Sequence, residues 1–122
     1  MAFPTHRPRR LRRGDVLRGM VRETDLAASD FIYPLFVCEG SGVRREIQSM
    51  PGQYHLSVDR LVEEVKAARD EGVPSVILFG IPASKDARGS SGYDPNGITQ
   101  RAFTALKEKV PGVVLIGDVC LC

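Results

Sequence analysis

The residues with the most chemistry per position come last: Asp118-Val119-Cys120-Leu121-Cys122. In an extended strand successive side chains alternate faces, so Asp118, Cys120 and Cys122 point the same way. Two thiols and a carboxylate on one face of a strand end offer part of a metal or catalytic site. Zinc takes thiolate ligands at tetrahedral geometry, and a catalytic zinc keeps three protein ligands plus one open position. C-x-C supplies two ligands and calls for a third from elsewhere. A bare C-x-C is more often core than ligand, because free cysteine is among the most buried residue types. Asp118 shifts the balance toward a site, since a carboxylate at strand depth needs a partner to offset its desolvation.

Cys38, at the end of another apolar run, is the third cysteine. An odd count does not resemble a secreted disulfide framework, so thiols or metal ligands in a reducing compartment are expected. Met1 to Arg13 carries a basic stretch with no apolar segment behind it, unlike a secretory signal. No run approaches the roughly 20 apolar residues that cross a bilayer. A cytoplasmic home with no membrane partner is the expectation.

The elements that must position these groups alternate. Asp30 to Val37 is apolar on both faces, as in a strand covered on both sides, with an irregularity expected at Pro34. Cys38 to His55 reads as a loop with a turn at Met50-Pro51-Gly52. Ser57 offers an N-cap and Asp59 an anion for the first turn. Val58, Leu61, Val62, Val65 and Ala68 then recur at helical spacing, predicting a helix from Val58 to Glu71 that Gly72 and Pro74 end. Ser75 to Ile81 is a second apolar strand. Ala83 to Asn96 is polar and long for an unstructured connection, which suits a lid or binding loop, or a plain surface excursion. Asp94-Pro95 reads as the cap and first position of a second helix with Ile98, Ala102, Ala105 and Leu106 inward. Val113 to Val119 is the third strand.

Strand, helix, strand, helix, strand, with strands apolar on both faces, predicts an α/β fold with a parallel sheet. No G-x-G-x-x-G follows the first strand, so a dinucleotide-binding sheet loses ground to a closed (β/α)₈ barrel. Such a barrel needs about 250 residues, so these 122 would be its first part, about three βα units. Functional groups in these folds collect at the carboxyl ends of strands. Cys38, the Ile81-Pro82 exit and Asp118 with its cysteines all belong there.

Residues 1–29 read as a separate arm before the barrel segment of residues 30–122. Within its first 22 residues Arg7, Arg9, Arg10, Arg12, Arg13, Arg18 and Arg22 stand against one acid, Asp15, in a chain of formal net charge +2, leaving the remainder acidic. Basic arms bind nucleic acid electrostatically. Beyond Phe3, however, no aromatic residue is interleaved for base stacking. Leu11, Val16, Leu17, Met20 and Val21 instead supply apolar anchors for another subunit, and no nucleic-acid partner is expected.

At these residues the sequence resembles the porphobilinogen synthase (5-aminolevulinate dehydratase) family of tetrapyrrole, hence haem, biosynthesis. The matching stretches are Met20 to Thr24, Phe31 to Val37 followed by Glu39-Gly40, Ser49 to Gly52, Leu78 to Pro82, Lys85-Asp86 with Gly89-Ser90, and Gly117 to Cys122. They run in family order, and Asp-Val-Cys-Leu-Cys is the most specific of them. The resemblance implies a TIM barrel whose arm embraces a neighbouring subunit, usually in a homo-octamer. It implies a lyase that joins two 5-aminolevulinate molecules into porphobilinogen with loss of water. Cys120 and Cys122 would be two ligands of a catalytic Zn²⁺ and Asp118 a substrate-contacting carboxylate. The family's third zinc cysteine and its two Schiff-base lysines have no counterpart here, and none of Lys66, Lys85, Lys107 or Lys109 inherits the lysine role. The 122 residues alone are therefore expected to be inactive and to bind zinc poorly. Mg²⁺ as an allosteric ion of full-length members also comes with the resemblance. Two other classes stay open: a binding module using the basic arm, and a truncated Schiff-base aldolase-type barrel enzyme.

Overall fold

The computed structural model describes residues 9–119. A five-stranded sheet carries strands β1 (Ile32–Cys38), β2 (Arg44–Glu46), β3 (Tyr54–Leu56), β4 (Ser75–Ile81) and β5 (Val114–Gly117) in the order β2-β3-β1-β4-β5. Neighbours are parallel except β2 against β3. The helices are α1 (Asp15–Met20), α2 (Val58–Asp70), α3 (Ser90–Tyr93) and α4 (Ile98–Lys109).

From β1 through β4 to β5 the sheet advances one strand at a time in one direction. Connections of a single hand then lay α2 and α4 on the same face. Leu61 and Val65 of α2 and Ala102 and Leu106 of α4 indeed share one buried cluster with Leu35, Val37, Val76 and Leu78. Strand alternation sends Pro34, Phe36, Ile77, Phe79 and Ile116 to the opposite face, and no helix of the described residues covers it. Those side chains are half-buried or exposed. The expectation of strands covered on both sides thus holds for one side only.

The two layers meet tightly at Gly80. A Cβ there would lie 2.1 Å from Thr99 Oγ1, so only glycine lets the start of α4 sit on β4. Helix α2 ends as its sequence predicts. Gly72 takes φ +92°, and the N–H groups of Val73 and Gly72 donate to the carbonyls of Ala68 and Arg69, satisfying the last turn in a Schellman arrangement.

Five expectations need correction. The segment after Cys38 is not only loop but contains the β2–β3 hairpin, with Met50-Pro51-Gly52 at its tip. It is fastened to α2: Ser57 Oγ accepts the Val43 N–H at 2.8 Å, and Asp59 accepts the Gly42 N–H at 2.9 Å. The Ser57 hydroxyl therefore serves the hairpin and not its own helix, where it makes no capping bond. At Pro34 the β1–β4 register continues without a break, because β3 reaches only Phe36 and Val37 and β1 has a single strand neighbour beside the proline. Helix α4 starts at Ile98 behind Gly97, while Asp94 closes a turn by accepting the Asn96 N–H at 2.8 Å. Finally, β5 is shorter than the predicted Val113 to Val119.

The arm forms a 3-10 turn at Arg10–Arg12 and then α1. Leu11, Val16, Met20 and Val21 are all exposed on it. No helix among the described residues is long and apolar enough to cross a membrane.

Candidate active site

The uncovered face opens at the carboxyl ends of the strands into a cleft of about 350 Å³. Its floor is aromatic. Phe36 of β1 and Phe79 of β4 stack with centroids 5.2 Å apart, and His55 of β3 meets the edge of Phe36 at 6.1 Å. Register forces this grouping, since Phe36 stands opposite both Phe79 and His55.

Asp118 enters the same cleft. Its N–H donates to the Leu78 carbonyl at 3.3 Å, which extends the β5 alternation one residue further and turns the carboxylate toward Phe79. Unlike the expectation of a desolvated carboxylate, Asp118 is exposed. The face it projects from is the uncovered one, so no desolvation has to be offset. Cys120 and Cys122 lie outside the described residues. Among the described residues no three His, Cys, Asp or Glu side chains gather as a metal site.

The outer wall comes from the polar stretch between β4 and α4, which supplies Lys85, Asp86, Gly89, Ser91 and Gly92. The stretch thus lies against the cleft, and Asp86 and Gln100 fasten it there. One Asp86 oxygen accepts the N–H groups of Arg88 and Ser90, each at 3.0 Å, and α3 follows as a single helical turn. The bonds from Ser90 foremost, with Arg88 adding to them, hold the Asp86 carboxyl below the ordinary aspartate value. Gln100 of α4 ties the far end of the loop down, donating from Nε2 to the Gly92 carbonyl at 3.2 Å. Thr99 and Gln100 complete the wall on the helix side. The two residues escape a reading by periodicity because α4 presents them at its first turn, away from the inward stripe.

Cys38 is not part of this grouping. It is buried at the end of β1 opposite Ile81, and burial, with Glu39 adding to it against Arg45, pushes its thiol up from the ordinary value. Beside it Glu39 forms an ion pair with Arg101, which fixes α4 to the exit of β1. The structure therefore brings together Asp118, Lys85 and Asp86 at one rim over an aromatic floor.

The family model of delta-aminolevulinic acid dehydratase matches residues 5–122. A delta-aminolevulinic acid dehydratase of Synechococcus elongatus is 56% identical over 120 residues, 98% of this chain and 37% of that protein. The one from Methanothermus sociabilis is 49% identical over 122 residues, 100% of this chain and 38% of that protein. Among solved structures, the Toxoplasma gondii delta-aminolevulinic acid dehydratase (porphobilinogen synthase), in complex with the reaction product porphobilinogen, superposes with a TM-score of 0.89 at 40% identity. That likeness covers 95% of this chain and 33% of the Toxoplasma chain. The chain spans a little over a third of the length of these two curated relatives. With the arm from residue 5 onward, the sheet, the cleft and Cys120 and Cys122 all inside the matched residues, the chain belongs to the delta-aminolevulinic acid dehydratase family.

Proposed function

We propose that this chain is the part of a porphobilinogen synthase that carries the aromatic floor and one carboxylate of its active site. The reaction is the condensation of two 5-aminolevulinate molecules to porphobilinogen with loss of water. The observation that carries the reading is Asp118 entering a cleft at the carboxyl ends of parallel strands, two residues before Cys120. In this reading the Asp118 carboxylate holds a substrate amine or hydroxyl proton at its oxygens. Phe36 and Phe79 exclude water beneath the substrate's carbon chain, and the loop fastened by Asp86 and Gln100 bounds it above.

Cys120 and Cys122 are the thiolates that would hold the family's zinc, together with a third ligand from beyond this sequence. When bound, the metal supplies Lewis acidity toward a substrate oxygen. The single direction of the β1-β4-β5 advance, with both helices on one side, supports a (β/α)₈ barrel over a doubly wound sheet, whose order reverses. The exposed Leu11, Val16, Met20 and Val21 support an arm that packs on a second copy, and the odd count of three cysteines supports a reducing, cytoplasmic setting.

The test is a chimera in which residues 1–122 replace the matched stretch of the Synechococcus elongatus relative. It is expected to form porphobilinogen, and Asp118→Ala is expected to lower kcat on the order of 10²-fold or more, as for loss of a positioned proton-transfer group. A folded chimera that makes no porphobilinogen, or that is indifferent to Asp118→Ala, overturns the reading.

A further inference from the structure

The stretch between β4 and α4 takes its shape and its place from different bonds. Its shape is local. Asp86 accepts the N–H groups of Arg88 and Ser90 on one side-chain oxygen and that of Gly89 on its carbonyl at 3.1 Å, and the Gly92 N–H donates to the Gly89 carbonyl at 2.9 Å. A single turn held by such near neighbours is not stable by itself, and none of these bonds says where the turn stands relative to the sheet. Its place comes from α4, through the bond from Gln100 Nε2 to the Gly92 carbonyl, eight residues back along the chain.

Around that amide, acceptors crowd together. A Cβ on Gly97 would stand 2.5 Å from Gln100 Oε1, 2.9 Å from the Ser91 carbonyl and 3.1 Å from the Asp94 carbonyl. Gln100 Oε1 is itself buried with no donor among the described residues. A buried acceptor left unpaired is unfavourable, and what offsets it here is the bond made by the nitrogen of the same amide. The side chain is therefore held for the N–H it supplies to the loop.

We propose that Gln100 is a positioning residue for the substrate: its Nε2–H keeps the Gly92 end of the loop in place as a wall of the cleft, and substrate affinity depends on that bond. The proposal rests on the catalytic reading above. Gly89, Ser91 and Gly92 line the cleft together with Phe36 and Phe79. A loop that comes away removes one side of the enclosure while Asp118 and the aromatic floor stay where they are. A wall that touches ground state and transition state alike contributes to KM and not to kcat, the opposite of the signature expected for Asp118.

The experiment compares Gln100→Ala and Gln100→Glu in the chimera with the Synechococcus elongatus relative. Glutamate fills the same space but turns a carboxylate with no N–H toward the Gly92 carbonyl, so it separates the donor from the volume. Both variants are expected to raise KM for 5-aminolevulinate roughly fivefold to tenfold, the scale of one net hydrogen bond, with kcat within about twofold and the melting temperature unchanged. Amide exchange at Ser90 and Gly92 should quicken in both while the amides of α4 keep their protection. A Gln100→Glu chimera that matches the unsubstituted one shows a side chain that only fills space and overturns the proposal. So does a KM unchanged in both variants, a loss confined to kcat, or exchange at Gly92 that does not quicken. An unsubstituted chimera that makes no porphobilinogen sinks the catalytic reading, and exchange alone then decides the latch: quickened in both variants it stands, unchanged it falls as well.

Discussion

The two faces of one sheet are equally apolar in sequence and opposite in fate. Leu35, Val37, Val76 and Leu78 are almost fully buried under α2 and α4, while Phe36, Ile77 and Phe79, one residue away along the same strands, are only half covered. The buried core and the cleft therefore lie on different sides of the same strands. The helix side holds the fold together, and the bare side forms the floor of the cleft.

The sharpest way to break this contrast is a pair of truncations at adjacent positions. Leu78→Ala removes a side chain with no exposure from the centre of the cluster and is expected to cost about 2–5 kcal/mol by the usual cavity and transfer terms. Phe79→Ala removes a larger side chain from the bare face. It should cost only about 1 kcal/mol, near the worth of its stacking on Phe36. Urea unfolding of the two variants checks the ordering, and equal losses would mean that the bare face is as well packed as the other.

Next in size is the contact that seats α4. Gly80→Ala places a Cβ against Thr99 Oγ1 and is expected to cost about 1–3 kcal/mol as an overpacked site. Thr99→Ala removes that oxygen and leaves the nearest neighbour at 3.4 Å, the Ile98 side chain. The double variant should then be more stable than Gly80→Ala alone, a coupling that a double-mutant cycle measures.

How much was legible depends on which force sets each element. Helix α2 and strand β4 are readable almost to the residue, because their apolar periodicity, Gly72 and Pro82 all point the same way. The β2–β3 hairpin is not. Arg44-Arg45-Glu46 has no apolar alternation, and its strand geometry comes from tertiary bonds to Ser57, Asp59 and β3. The start of α4 misleads because Asp94-Pro95 fits a cap by itself, whereas Gly97 is needed where the loop carbonyls of Ser91 and Asp94 approach within 2.9 and 3.1 Å of a would-be Cβ. At the site, Asp118 is identified by its place at a strand end, and register brings it over Phe79. Thr99 and Gln100 join the cleft only through the packing of α4 on Gly80, which no spacing in the chain records.

A smaller effect tests how the hairpin is held to the covered layer. Ser57 is fully buried, and Ser57→Ala leaves the Val43 N–H without its acceptor, at a cost toward the low end of about 1–3 kcal/mol. The loss should appear as faster amide exchange at Gly42 and Val43 with α4 unaffected. Uniformly faster exchange would mean that the hairpin and the helix layer open as one unit.

The smallest effect separates the hairpin from the cleft loop by acid. Asp59 is held below its ordinary value by the Ser57 hydroxyl and then by the Gly42 N–H, and Asp86 by Ser90 foremost. A carboxylate with a depressed folded value stabilises at pH above its ordinary value, 3.8 for aspartate, and that contribution is lost as pH falls through the folded value. Amide protection at Gly42, and at Arg88 and Ser90, corrected for intrinsic exchange, should therefore decline as pH drops below about 4. Asp86→Asn keeps the acceptor oxygen but removes the titration, so it should flatten the decline at Arg88 and Ser90 and leave Gly42 as before. Were Gly42 to flatten with it, the loop over the cleft and the hairpin on the helix side would share one opening event, and the two faces would not be energetically separate.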